Sequence, residues 1–142
     1  MKAGFFVFVV ALGLSWPAAN RLQPVITVID GDTFAIAYPF GLGTEKIRIL
    51  GMDAPETRRA KCAAERFRGA VAKSGLAALL GAGTVTIERR GLDKYRRTLA
   101  VVRVEGVDVA EIMISGGLAR PYSGGKRQSW CGFFARDQPG GG

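Results

Sequence analysis

The chain has 142 residues, 48% of them apolar, which suits a single domain with a substantial core. Twenty Lys and Arg residues against twelve Asp and Glu give a net charge of +8 and a pI of about 10.1, an excess that favours polyanionic partners. Histidine is absent, which excludes His general bases, His metal ligands and Ser–His or Cys–His nucleophile pairs; proton transfer falls to Asp, Glu, Lys or Tyr, and a bound metal would take oxygen ligands, as Ca²⁺, Mg²⁺ and Mn²⁺ do.

Residues 1–19 pair an early lysine, Lys2, with an apolar run and then small residues near Ala19. This is the pattern of a signal peptide cut near Ala19, or of an uncleaved N-terminal anchor. Both readings export the domain to a periplasmic or secreted location, with membrane attachment only if the segment is retained. The domain itself is expected over 20–131, with a flexible tail over 132–142. An oxidising compartment makes a disulfide between the two cysteines, Cys62 and Cys131, the expected state. On the chain-entropy model it contributes about 4 kcal/mol.

Three β-rich runs come first. Val25 to Ile29 ends at Asp30-Gly31-Asp32, a tight turn by composition. Thr33 to Tyr38 alternates, and Pro39 to Thr44 supplies a hairpin link. Glu45 to Met52 is a third strand, with Ile47 and Ile49 on one face and Arg48 and Leu50 on the other. The short links predict an antiparallel meander. Asp53-Ala54-Pro55-Glu56-Thr57 then breaks the strand. A helix over about 63–80 follows, with no clean apolar stripe and a break expected at Gly75. Strands over 84–89 and 97–105 flank a charged turn. A second helix starts near Asp108, a good N-cap, buries Val109, Ile112 and Met113, and stops at Gly116-Gly117. Residues 121–131 form a basic loop. Five short strands with a helix after the third predict a mainly β, α+β domain: a partly open Greek-key barrel of the oligonucleotide-binding (OB) type, with two or three helices.

The chemistry concentrates between Ile29 and Glu56. Asp32 and Asp53 each stand at a strand end beside a turn, and Glu56 lies on the same turn as Asp53. Carboxylates gathered this way need a cation between them. Arg48, together with Arg97 beyond the second turn, would clamp a phosphoryl group. Metal, carboxylate base and guanidiniums are the parts that phosphodiester hydrolysis requires. Taken singly, Asp-Gly-Asp is an ordinary turn and Arg96-Arg97 a solvated basic face; only the combination carries the reading.

The combination resembles the staphylococcal nuclease (thermonuclease) family, through VIDGDT at 28–33, RILGMDAPET at 48–57, DKYRRTLA at 93–100 and GLA at 117–119. The match runs from about Val25 to Tyr122. The resemblance implies a Ca²⁺-dependent endonuclease that hydrolyses DNA and RNA and leaves 3′-phosphates. It implies that Asp32, Asp53 and the carbonyl of Ala54 bind Ca²⁺, and that Glu56 activates water. Arg48 and Arg97 would stabilise the transition state, and Lys94, Tyr95 and Tyr122 would bind the nucleotide. No obligate protein partner is implied, and the chain is expected to act as a monomer. The alternative is a non-catalytic nucleic-acid-binding module on the same barrel. Arg96 stands where the family has glycine; if that site needs φ > 0, arginine costs about 1–2 kcal/mol there. Ala54 replaces a common threonine, and the C-terminal helix of longer members is missing.

Overall fold

In the computed structural model of the chain, residues 23–132 are described. The leader expected over 1–19 and the tail beyond 132 lie outside them. The first two β-rich runs become strands β1 (Val25–Asp30) and β2 (Thr33–Ala37), an antiparallel pair closed by Gly31 and Asp32. Gly31 is required by crowding. A Cβ there would lie 2.6 Å from that of Ala72 and 2.8 Å from that of Ala54, distances no side chain tolerates.

A single 3-10 turn at Pro39–Gly41 leads into β3 (Thr44–Ile49), antiparallel to β2. The continuous strand expected over Glu45–Met52 is in fact two. The Leu50 amide is held by the Ala100 carbonyl at 2.9 Å. Gly51 then adopts φ 86°, a left-handed conformation that turns the chain off the sheet. Beyond it, β4 (Gly51–Asp53) pairs with a distant strand, β8 (Arg120–Tyr122), as a separate ribbon.

Helix α1 (Ala63–Gly81) runs unbroken through Gly75, so the expected break is absent. The glycine instead allows close packing: a Cβ at 75 would lie 2.5 Å from Leu118 Cδ1. The buried face is Glu65, Gly69, Ala72, Leu76 and Leu80. It mixes an acid and two small residues with two leucines, while Phe67 and Val71 face solvent, which is why the sequence shows no clean stripe.

Strands β5 (Val85–Leu92) and β6 (Thr98–Val104) form the second hairpin. β6 alternates buried and half-buried along its length, the period-two pattern of a strand with one face on the core. It also runs parallel to β3, giving the order β1-β2-β3-β6-β5 with a short β7 (Val107–Asp108) added to β6. This curled mixed sheet, with two helices, is the expected OB-type arrangement. Asp108 caps α2 (Val109–Ser115), its Oδ1 accepting from the Ala110 amide at 2.8 Å. Val109 and Met113 are fully buried as expected; Ile112 is only half-buried, and Ala110 takes the inward position.

Phe34, Ile47, Ile49, Leu76, Val102 and Met113 centre the core, between the concave sheet and the two helices. The Cys62–Cys131 disulfide is present, its Cα atoms 6.0 Å apart. Among the described residues no helix is long and apolar enough to cross a membrane.

Candidate active site

The strand break at Leu50 places the acids. β3 delivers Arg48 beside the first turn, since Arg48 stands opposite Thr33 in the β2–β3 register. β4 then ends at Asp53, so Asp32 and Asp53 lie on either side of the Arg48 guanidinium. All three are about 5% exposed or less, which matters because ionised groups so deep must be mutually compensated. Arg48 Nη2 reaches Asp53 Oδ1 at 3.5 Å and the Met52 carbonyl at 3.4 Å. Nη1 lies in close contact with Asp32 Oδ2, yet among the described residues it makes no hydrogen bond of proper geometry. Asp32 is oriented by its neighbours. Thr33 Oγ1 donates to its Oδ1 at 2.8 Å, and the Ala54 amide donates to its Oδ2 at 3.1 Å.

The acid loop is clamped from beneath. Asp30, read from sequence as a plain turn residue, accepts from both the amide and the hydroxyl of Thr57. It thereby ties the first turn to the second. Glu65, buried at the start of α1, accepts from the Glu56 amide at 3.4 Å and the Lys61 amide at 2.7 Å. α1 approaches so closely that a Cβ on Gly69 would lie 2.5 Å from the Glu56 carbonyl oxygen.

Arg97 arrives from the other hairpin. The parallel pairing of Ile47 with Thr98 sets it at the end of the sheet that bears Arg48. Asp93 holds it there, accepting from the Arg97 amide at 3.0 Å, from Nε at 2.7 Å and from Nη2 at 2.7 Å. Arg97 Nη1 reaches Thr33 Oγ1 at 3.4 Å, next to Asp32. Burial works against the Asp93 charge, but the bonds from Arg97 and Tyr95 outweigh it and keep this carboxyl below its ordinary range. Tyr95 is 64% exposed, with Lys94 and Arg97 near its ring at 5.1 and 5.5 Å. Arg96 has φ 62°, so the position does demand the left-handed conformation.

The basic loop, in which the sequence singles out only Tyr122 and Cys131, closes the site. Arg127 Nε meets Asp53 Oδ1 at 3.1 Å and its Nη1 meets Glu56 Oε1 at 3.1 Å. The Trp130 indole donates to Asp53 Oδ2 at 3.2 Å. Tyr122 lines the same cleft, its hydroxyl bonded to the Gly125 carbonyl at 2.8 Å. Acids and guanidiniums therefore alternate in the order Asp32, Arg48, Asp53, Arg127, Glu56. Burial, with Asp30 and Asp32 nearby, pushes the Glu56 carboxyl above its ordinary range, and Arg127 opposes that shift. The cleft over this row has a volume of about 1030 Å³ and carries Lys46, Arg58, Arg59, Lys94 and Tyr95 on its rim.

The three expected acids are thus brought together, but with guanidiniums between them. Among the described residues, the one set of three acid or cysteine groups with ligand atoms within 4.8 Å of one another is Cys62, Glu65 and Cys131. The disulfide occupies two of those three, so that set is no metal site. The fit to a hard divalent cation rests instead on Asp32 and Asp53. They are buried carboxylate oxygen donors, and hard oxygen donors of this kind suit Ca²⁺. Glu65, Asp93, Arg127 and Trp130 carried no sequence signal read as part of the site. Their partners lie two to seventy-seven residues away.

Comparison with known proteins gives the family. Residues 46–130 match the sequence model described as staphylococcal nuclease homologue. The chain is 35% identical over 97 residues to the SPbeta prophage-derived endonuclease YokF of Bacillus subtilis, covering 65% of this chain and 31% of that protein. It is 36% identical over 97 residues to the endonuclease YncB of the same organism, covering 65% and 44%. An uncharacterized endonuclease of Haemophilus influenzae is 33% identical over 98 residues, covering 69% and 51%. The chain therefore spans about a third to a half of the length of these curated relatives.

Proposed function

The chain belongs to the staphylococcal nuclease homologues, and from that premise we propose that it is an endonuclease that hydrolyses DNA and RNA with Ca²⁺, leaving 3′-phosphates. The observation that carries the reading is the row of alternating acids and guanidiniums, buried at Asp32, Arg48 and Asp53 and reaching the surface at Arg127 and Glu56, under a basic cleft. Asp32, Asp53 and the Ala54 carbonyl would hold the cation, which supplies a Lewis acid to the phosphoryl oxygens. Arg48 and Arg97 bind and orient the phosphoryl group, and their permanent charge meets the negative charge that builds in the transition state. Glu56 takes the proton from the attacking water, its carboxylate lining the cleft beside the acids that would hold the cation. Tyr95 offers an exposed ring face to a base, and Lys94 offers a charge to a neighbouring phosphate. Export belongs to the same proposal and is supported by the disulfide, a bond that persists in oxidising compartments.

Incubation of the purified protein with single-stranded DNA, in Ca²⁺ or in chelator, tests the proposal. Cleavage that requires Ca²⁺ is expected. Glu56→Gln and Arg97→Ala should each lower the rate by about 10²-fold or more at unchanged fold. Ca²⁺-independent inertness with retained DNA binding would leave a binding module instead.

A further inference from the structure

The segment from Arg120 to Cys131 is fastened to the acid loop at both ends. Arg120–Tyr122 pairs with Gly51–Asp53, placing Arg120 opposite Asp53 itself. Cys131 is bonded to Cys62, the N-cap of α1, whose first turn holds the Glu56 amide through Glu65. Between those ends the chain reverses through Gly124 and Gly125, both left-handed at φ 106° and 86°. The residue just before the disulfide is Trp130, 7% exposed, with the Arg120 guanidinium 3.7 Å from its ring centroid.

An indole N–H can only donate. Its bond to Asp53 Oδ2 therefore fixes one carboxylate oxygen as an acceptor and sets the rotation of the whole group. Oδ1 is left to the Arg48 and Arg127 guanidiniums, which also face the cleft. We propose that Trp130 is a positioning residue for Asp53 as a cation ligand, and that the Cys62–Cys131 disulfide is the tether that holds the indole in place. The inference rests on the cation reading above and adds to it a residue at the end of the family match, outside the short motifs at 28–33, 48–57, 93–100 and 117–119. Trp130 also lines an apolar recess of about 360 Å³ with Pro55, Phe67, Val71 and Leu118. A packing role of that kind survives replacement by phenylalanine, whereas the N–H does not.

Calorimetric titration of the full chain with Ca²⁺ separates the two roles. Partners that orient a metal ligand are worth about 10–100-fold in affinity. Trp130→Phe should weaken Ca²⁺ binding by about tenfold or more while its far-UV circular dichroism stays that of the parent. A variant that binds Ca²⁺ within twofold of the parent overturns the positioning role and leaves the cation reading standing; a parent chain that takes up no Ca²⁺ overturns both. Should Trp130→Phe fail to fold, Trp16→Phe leaves Trp130 as the one tryptophan. Its emission should then shift as Ca²⁺ is added, with the midpoint given by calorimetry. Emission that ignores saturating Ca²⁺ overturns the proposal.

Discussion

Arg97 is held in place by a turn whose tightest position is occupied by the wrong kind of residue. Arg96 sits at φ 62°, its amide bonded to the Asp93 carbonyl at 3.0 Å. A side chain there costs about 1–2 kcal/mol that glycine does not. Glycine in turn loses up to about 1 kcal/mol more unfolded-chain entropy. The strain is the larger effect, so Arg96→Gly should stabilise the protein by up to about 1 kcal/mol, read as a rise in the denaturant midpoint. Asp93, not residue 96, makes the bonds to Arg97, so cleavage by Arg96→Gly should stay within a few-fold of the parent. The sequence exposed this conflict because a lone arginine stood at a glycine position of a short motif. It did not expose Asp93 as the anchor, since an acid in a charged turn is ordinary until its partners are known.

At the scale of elements, two features decide where the site lies. The first is the bare seam between α1 and the acid loop. Gly69→Ala would gain about 0.5–1 kcal/mol of helix propensity, but its Cβ would meet the Glu56 carbonyl oxygen at 2.5 Å and its carbon at 2.8 Å. Those are backbone atoms and cannot rotate away. Overpacking of this kind costs about 1–3 kcal/mol, so a net loss of stability is expected, with a fall in cleavage rate because the backbone that carries Glu56 is displaced. The second is a clasp across the sheet. Glu45 on β3 accepts from Tyr38 at 2.6 Å, from Arg89 on β5 at 2.8 and 2.7 Å, and from Thr98 on β6 at 2.8 Å. Arg89 does most to lower its pKa, from 4.5 to about 2. A carboxylate lowered in the folded state contributes stability that is complete above pH 4.5 and is lost as pH falls through about 2. Glu45→Gln should therefore lower stability at pH 7 and flatten the acid side of a stability–pH curve between those limits. Strands such as β6 were legible because period-two burial writes itself into the side chains. The seam on α1 was not, because Glu65, Gly69 and Ala72 interrupt the apolar face that Leu76 and Leu80 continue.

For the whole molecule, the basic loop and the disulfide have to be considered together. Cys62 and Cys131 are 69 residues apart, and two cysteines in a sequence suggest a bond but not what it holds. Arg127 and Trp130 escaped the sequence reading for that reason: their contacts with Asp53 exist only once the far end of the chain is folded back over β4. Closing a loop of this length removes about 4 kcal/mol of freedom from the unfolded chain. If that is its main effect, reduction, or the paired change Cys62→Ala with Cys131→Ala, should lower the melting temperature by about 15 °C. Denaturant titration distinguishes this from the loss of folded contacts alone. An untethered unfolded chain exposes more surface, so the m-value should rise as the midpoint falls. A midpoint that falls at constant m would place the cost in the folded state, in the strap contacts to Asp53 and Glu56, rather than in chain entropy.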